Sequence, residues 1–125
     1  LLSYVPHCLS GSDECKVVDE LLDIKNLEII PKNSTNGFFA IDINILNDID
    51  NVVVVGDCTD ICIYQFVVTL KAYFNEKNIN KNIVVPMNLV DTYDIPFVHP
   101  GDLLNVVFLN SMVQNGVKLI KKFSL

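Results

Sequence analysis

Apolar and polar residues alternate along this chain in blocks that change period, and the changes mark its elements. Residues 13–24 (DECKVVDELLDI) place apolar side chains at 17, 18, 21, 22 and 24 behind an acidic start. That spacing predicts an amphipathic helix. Residues 27–31 (LEIIP) read as a short buried strand, and 33–37 (NSTNG) as turn chemistry. Residues 42–49 are predicted as a short, isoleucine-rich helix. The β-branched run 52–55 (VVVV) predicts a strand covered on both faces.

Residues 59–76 repeat apolar positions at 63, 66, 67, 70, 73 and 74, a long helix. A buried strand at 83–85 follows, then the loop 88–102 (NLVDTYDIPFVHPGD) with two prolines. Residues 102–115 predict a helix closed by Gly116, a favourable residue just past a helix end. A last strand at 117–120 precedes a basic tail. Strands alternating with helices imply βαβ units: an α/β three-layer sandwich with a mainly parallel sheet and helices on both faces. In such sheets chemistry gathers beyond the carboxyl ends of the strands. No internal repeat or low-complexity segment is visible.

Composition narrows the reading. A chain of 125 residues, half of them hydrophobic, forms one domain (1–125) with a single core. Mean hydropathy is +0.38, so the interior is well supplied. A net charge of −6 argues against a nucleic-acid partner. No apolar run approaches the ~18 residues of a membrane span, and there is no signal-peptide pattern. The expectation is a soluble, cytoplasmic protein without a membrane partner. Because the chain begins Leu1-Leu2 without methionine, it reads as a piece of something longer.

The cysteines are Cys8, Cys15, Cys58 and Cys62, without a C-x-x-C pair and with only His7 and His99 to assist. That spacing is poor for a four-ligand zinc site, and the cysteines are expected to be reduced. A zinc module would show stoichiometric metal lost when Cys58 or Cys15 is changed.

The stretch 52–66 (VVVVGDCTDICIYQF) carries the candidate chemistry. Thr59 is a natural N-cap, which places Cys62 in the first turn of the helix. Unpaired N–H groups and the positive end of the helix dipole favour a thiolate there, and the same groups could hold an oxyanion. A buried cysteine is equally a small core hydrophobe. Cys58, in the turn itself, has less helix support. Lys32 follows LEIIP at a strand's carboxyl end, where it could polarise a carbonyl or favour the thiolate, or simply be a solvated surface lysine. His7 is a loop histidine or a metal ligand. His99 and Tyr93, in the loop 90–101, line a pocket or subunit contact, or only pack the loop.

Three segments in order resemble one family. GDCTDICI is similar to the G-x-x-T-D-x-C-V/I signature of the isochorismatase-like cysteine hydrolases, particularly the nicotinamidase branch. PHCLSG resembles the P-H-C-x-x-G segment of nicotinamidases, and IIPKNSTNGFF the strand-plus-lysine segment. Together the resemblance runs from about Tyr4 to the last strand.

The resemblance implies Cys62 as nucleophile and Lys32 as the second member of an Asp-Lys-Cys triad. Thr59 falls in the signature turn. The bond between Asp57 and Cys58 matches the family's non-proline cis peptide, which aims the N–H groups of Cys58 and Cys62 at the oxyanion. His7 matches the last ligand of a divalent, zinc-like metal that holds the pyridine nitrogen of the substrate. The implied reaction is hydrolysis of a small-molecule amide, nicotinamide to nicotinate and ammonia, through a thioester. Other substrates of the superfamily, amides, carbamoyl compounds or an enol ether, are the alternatives.

The family's general-base aspartate and its D-x-H metal segment have no counterpart upstream of His7. The family's sheet order puts its first two strands between LEIIP and VVVV. The expectation is therefore the carboxyl-terminal part of a longer hydrolase, inactive on its own, with exposed strand edges. A non-catalytic scaffold or oligomerisation domain is the second reading. Self-association into a homo-oligomer is expected under either.

Overall fold

The computed structural model describes residues 5–123; Leu1, Leu2 and Tyr4 lie outside them. Its centre is a three-stranded parallel sheet in the order β1-β3-β5, formed by Asn51–Val53 (β1), Asn82–Pro86 (β3) and Lys118–Ile120 (β5). A second parallel pair joins Gly56–Asp57 (β2) to Val90–Asp91 (β4), with Asp57 opposite Asp91. Among the described residues three α-helices accompany the strands: the single turn Asp19–Leu22 (α1), then Tyr64–Glu76 (α2) and Gly101–Gln114 (α3).

The long-period segments fold as their spacing dictates. Val67, Leu70 and Phe74, at i, i+3 and i+7, form the buried stripe of α2. They meet Ile83 and Val85, alternate residues of β3, together with Met112 of α3 and Val117. Gly116 ends α3 with φ +85°, the left-handed conformation a helix-terminating glycine adopts at no steric cost.

The valine run departs from its expected burial. Val52 and Val54 are half-buried, whereas Val53 and Val55 are 42% and 50% exposed. Register explains this: Val53 aligns with Val84, and Val84 with Lys118, which is exposed, so these three share the open face of the sheet. Val52, aligned with Ile83, shares the face that carries the core.

The amino-terminal quarter departs more. Residues 13–24 form only the 3-10 turn Asp13–Cys15 and the one-turn α1, with Val18, Leu21, Leu22 and Ile24 exposed. LEIIP is not a strand, and Ile29 stays 57% exposed. The cause is common to both. An amphipathic helix is stabilised by the surface it packs on, and a strand by its ladder partner; neither segment has one among the described residues. Residues 42–49 do form a short helix, the 3-10 turn Ile43–Leu46, with the Asp42 carboxylate accepting from Asn44 N–H at 3.0 Å.

Candidate active site

Chain direction turns sharply after the valine run. Gly56 takes φ +118°, a conformation that strains any residue with a Cβ. The next peptide but one, Asp57–Cys58, is cis, at the bond where the resemblance implies one. The Cys58 carbonyl then accepts from both Ile61 N–H (3.2 Å) and Ile63 N–H (3.1 Å), opening a wide, π-type turn over Thr59–Ile63. The helix thus begins one residue earlier than expected. Cys58 is its N-cap, without a side-chain bond, and Thr59 is the first helical residue. The Thr59 hydroxyl is fully buried and has no partner among the described residues, so it does not cap. Cys62 stands in this first turn, half-buried.

Lys32 comes to the same place from 30 residues away. Its Nζ lies 4.0 Å from Cys62 Sγ and donates to the Ser34 carbonyl at 3.0 Å. Polar contacts fix the loop that carries it. Thr35 Oγ1 donates to Gln65 Oε1 (2.8 Å) and Asn36 Nδ2 to Thr69 Oγ1 (2.9 Å), both on α2. Asn36 Oδ1 accepts from Phe38 N–H at 3.1 Å, and the Phe38 ring packs on Tyr73 of α2 with centroids 5.6 Å apart.

Lys32 and Cys62 border a cavity of about 270 Å³ whose walls include Ile30, Ala40, Ile41, Val54 and Phe66. Asp57 borders it too. Among the described residues Lys32 has no ion-pair partner, and no carboxylate is hydrogen-bonded to Cys62. A larger hollow of about 410 Å³, between Asp57, Met87, Asp91 and Asn105, reaches neither Lys32 nor Cys62. The smaller cavity therefore holds the candidate chemistry.

His7 is not brought to this site's cavity. It is exposed, with Nδ1 2.8 Å from the Val5 carbonyl. The described residues contain no group of three or more His, Cys, Asp or Glu able to hold a metal, so they do not build a centre around His7. All four cysteines are free thiols, with Cys8 and Cys15 exposed. No helix among the described residues is long and apolar enough to cross a membrane.

One constellation beside the site escapes any reading of sequence pattern. Asp60, in the turn with Cys62, accepts from Thr92 Oγ1 at 2.6 Å and pairs with His99 Nε2 at 2.9 Å. His99 and Tyr93 do not border the Cys62 cavity; their rings stack on each other, centroids 3.8 Å apart at 17°. A run of 39 residues separates His99 from Asp60, and no periodicity links them.

No protein-family model matches the chain. It is 27% identical to nicotinamidase 1 of Arabidopsis thaliana over 146 aligned positions, covering 97% of this chain and 60% of that protein. The chain thus spans three fifths of this relative's length. A nicotinamidase of Bacillus subtilis superposes with a TM-score of 0.71 at 19% identity, covering 94% of this chain and 64% of that one. An isochorismatase-like hydrolase from Alkaliphilus metalliredigens gives 0.67 at 17%, over 91% and 57%. The fold is therefore the mixed α/β, parallel-sheet fold of the isochorismatase-like hydrolases, and in sequence the chain resembles a nicotinamidase.

Proposed function

We propose that the chain contributes the nucleophile and its electrostatic partner to a cysteine amidase of nicotinamidase-like chemistry. The observation that carries the reading is the 4.0 Å approach of Lys32 Nζ to Cys62 Sγ at an apolar cavity of about 270 Å³. An ammonium beside a sulfur favours its thiolate, the form that attacks. The cavity walls suit a flat, weakly polar ring carrying one amide, and nicotinamide is such a molecule.

In this reading Cys62 Sγ attacks the amide carbon, and the carbonyl oxygen becomes an oxyanion. The N–H groups of Cys58 and Cys62, on either side of the turn, hold that charge. The nitrogen leaves as ammonia, and water cleaves the thioester to give nicotinate. The thiol proton needs an acceptor, and the described residues place no carboxylate on Cys62 or Lys32. No base is assigned among them, and a cysteine amidase without one loses about 10²–10⁴-fold in turnover. No step is assigned to a metal.

The test is ammonia release from nicotinamide by the natural protein, with and without Cys62→Ala. Release is expected to drop to background in the variant; release that survives it removes Cys62 from the reaction. A second reading, a non-catalytic domain that self-associates, is favoured by the open sheet face at Val53 and Val55. It expects a concentration-dependent mass in sedimentation and no turnover.

A further inference from the structure

We propose that His99 is a positioning residue for Cys62, acting through Asp60, whose carboxylate it holds against the first turn of the Cys62 helix. The inference rests on the reading of Cys62 as the nucleophile.

Asp60 is two residues before Cys62 and its side chain is only 7% exposed. An ionised carboxylate that deep is retained only when each oxygen is satisfied. Here Oδ1 accepts from Thr92 Oγ1 and Oδ2 from His99 Nε2. With both oxygens engaged, Asp60 is not the group that takes the proton from Cys62; its role is to anchor the turn.

His99 is built for that purpose. Its side chain is 14% exposed, with the Tyr93 ring stacked on it, and its Nδ1 lies 2.8 Å from the Tyr93 carbonyl. Its two ring nitrogens are thus both engaged, Nδ1 with the Tyr93 carbonyl and Nε2 with the Asp60 carboxylate, which fixes the ring between the loop and the turn.

The loop beneath is closed before it meets Asp60. Ile95 N–H donates to the His99 carbonyl and His99 N–H to the Ile95 carbonyl, each at 2.9 Å. Asp94 Oδ1 accepts from Gly101 N–H at 2.8 Å, where α3 begins. On the other side of the loop, Asn105 Nδ2 of α3 donates to Asp91 Oδ1 (2.8 Å), the residue before Thr92. Thr92 and His99 thus reach Asp60 from the two ends of one segment, itself fastened to α3. Displacing either frees the carboxylate and, with it, the turn that aims Cys62.

The experiment is alkylation of the folded chain by iodoacetamide at one fixed pH, followed peptide by peptide by mass spectrometry. The rate at Cys62 is divided by that at exposed Cys15, which serves as internal reference. His99→Ala is expected to lower this ratio about tenfold, and His99→Gln, which keeps one N–H for Asp60, to recover part of the loss. In an Asp60→Asn background, His99→Ala should have no further effect, because its path to Cys62 is already cut. Should circular dichroism show His99→Ala unfolded, His99→Gln and Thr92→Val decide, both lowering the ratio. A ratio within twofold of the parent in the folded variants, or effects that simply add in the double variant, overturns the proposal. If the parent's Cys62 reacts no faster than Cys15, the nucleophile reading falls and takes this inference with it. A fast Cys62 that ignores every His99 and Thr92 variant leaves that reading standing and removes this one alone.

Discussion

Lys32 Nζ and Cys62 Sγ meet at 4.0 Å although 30 residues separate them. The approach is set by side chains of the NSTNG turn docking on α2, Thr35 on Gln65 and Asn36 on Thr69. Lys32 is exposed, so its field at the sulfur is screened by water. A charge at this distance with water between is worth about 1 kcal/mol, roughly fivefold in a rate. Lys32→Met should therefore slow iodoacetamide alkylation of Cys62 roughly fivefold while Cys15 keeps its rate. Thr35→Val, which unfastens the loop without touching the charge, should give a smaller loss in the same direction.

Asp91 ties pH to the segment that faces the Cys62 turn. The Asn105 side-chain amide, and after it the Thr92 N–H, stabilise its carboxylate and lower its pKa from the ordinary 3.8. The sign follows from linkage. A folded-state pKa below the unfolded one contributes stability above about 3.8, and that contribution is lost as pH falls through the lower folded value. Asn105→Ala removes the larger cause, so the Asp91 carboxyl should titrate closer to 3.8. Side-chain carboxyl NMR across the acid range checks it; an unmoved titration in Asn105→Ala would assign the shift to Thr92 alone.

What the sequence made legible followed the range of the forces involved. Helix α3 and strands β3 and β5 match their expected spans to within a residue or two, and α2 ends where expected at Glu76 while the first five residues of its predicted span form the π-type turn; a buried stripe at 67, 70 and 74, or alternation at 83 and 85, is written locally. Cys62 at a helix start was equally local. Segments 13–24 and 27–31 carry the same kinds of pattern, yet they lie open: their pattern names a face to bury but not the surface that buries it. Thr59 looks like a cap, but two N–H groups converging on the Cys58 carbonyl moved the helix start ahead of it. The Asp60–His99 pair was invisible for a different reason. A contact across 39 residues depends on how β4 and the start of α3 are placed, and neither residue's neighbours announce it.

Phe74 reports on the strength of the core that supports all of this. It is fully buried and packs with Leu70, Ile83 and Met112 where α2, α3 and the sheet meet. Phe74→Ala leaves a cavity that close-packed neighbours fill only in part, at a cost of about 3–5 kcal/mol. Domains of this size hold only about 5–15 kcal/mol in all, so the variant should be partly unfolded in mild urea. Exposed Phe39→Ala is the control and should shift the urea midpoint little.

Gly101 is the position where the His99 loop and α3 share space. A Cβ there would stand 3.0 Å from the Tyr93 carbonyl oxygen and 3.3 Å from Asp94 Cβ. The first of these is backbone, which cannot swing aside as a flexible side-chain end can. It is also the carbonyl that His99 Nδ1 contacts at 2.8 Å, and Asp94 is the residue that accepts from Gly101 N–H. Gly101→Ala should therefore do two things at once. It should destabilise the domain by about 1–3 kcal/mol through overpacking, read as a lowered Tm. It should also push the Tyr93 carbonyl off His99, so the imidazole resonances of His99 shift in NMR. A lowered Tm with unmoved His99 resonances would mean that the strain is absorbed by α3, and that the loop is held to Asp60 independently of the helix start.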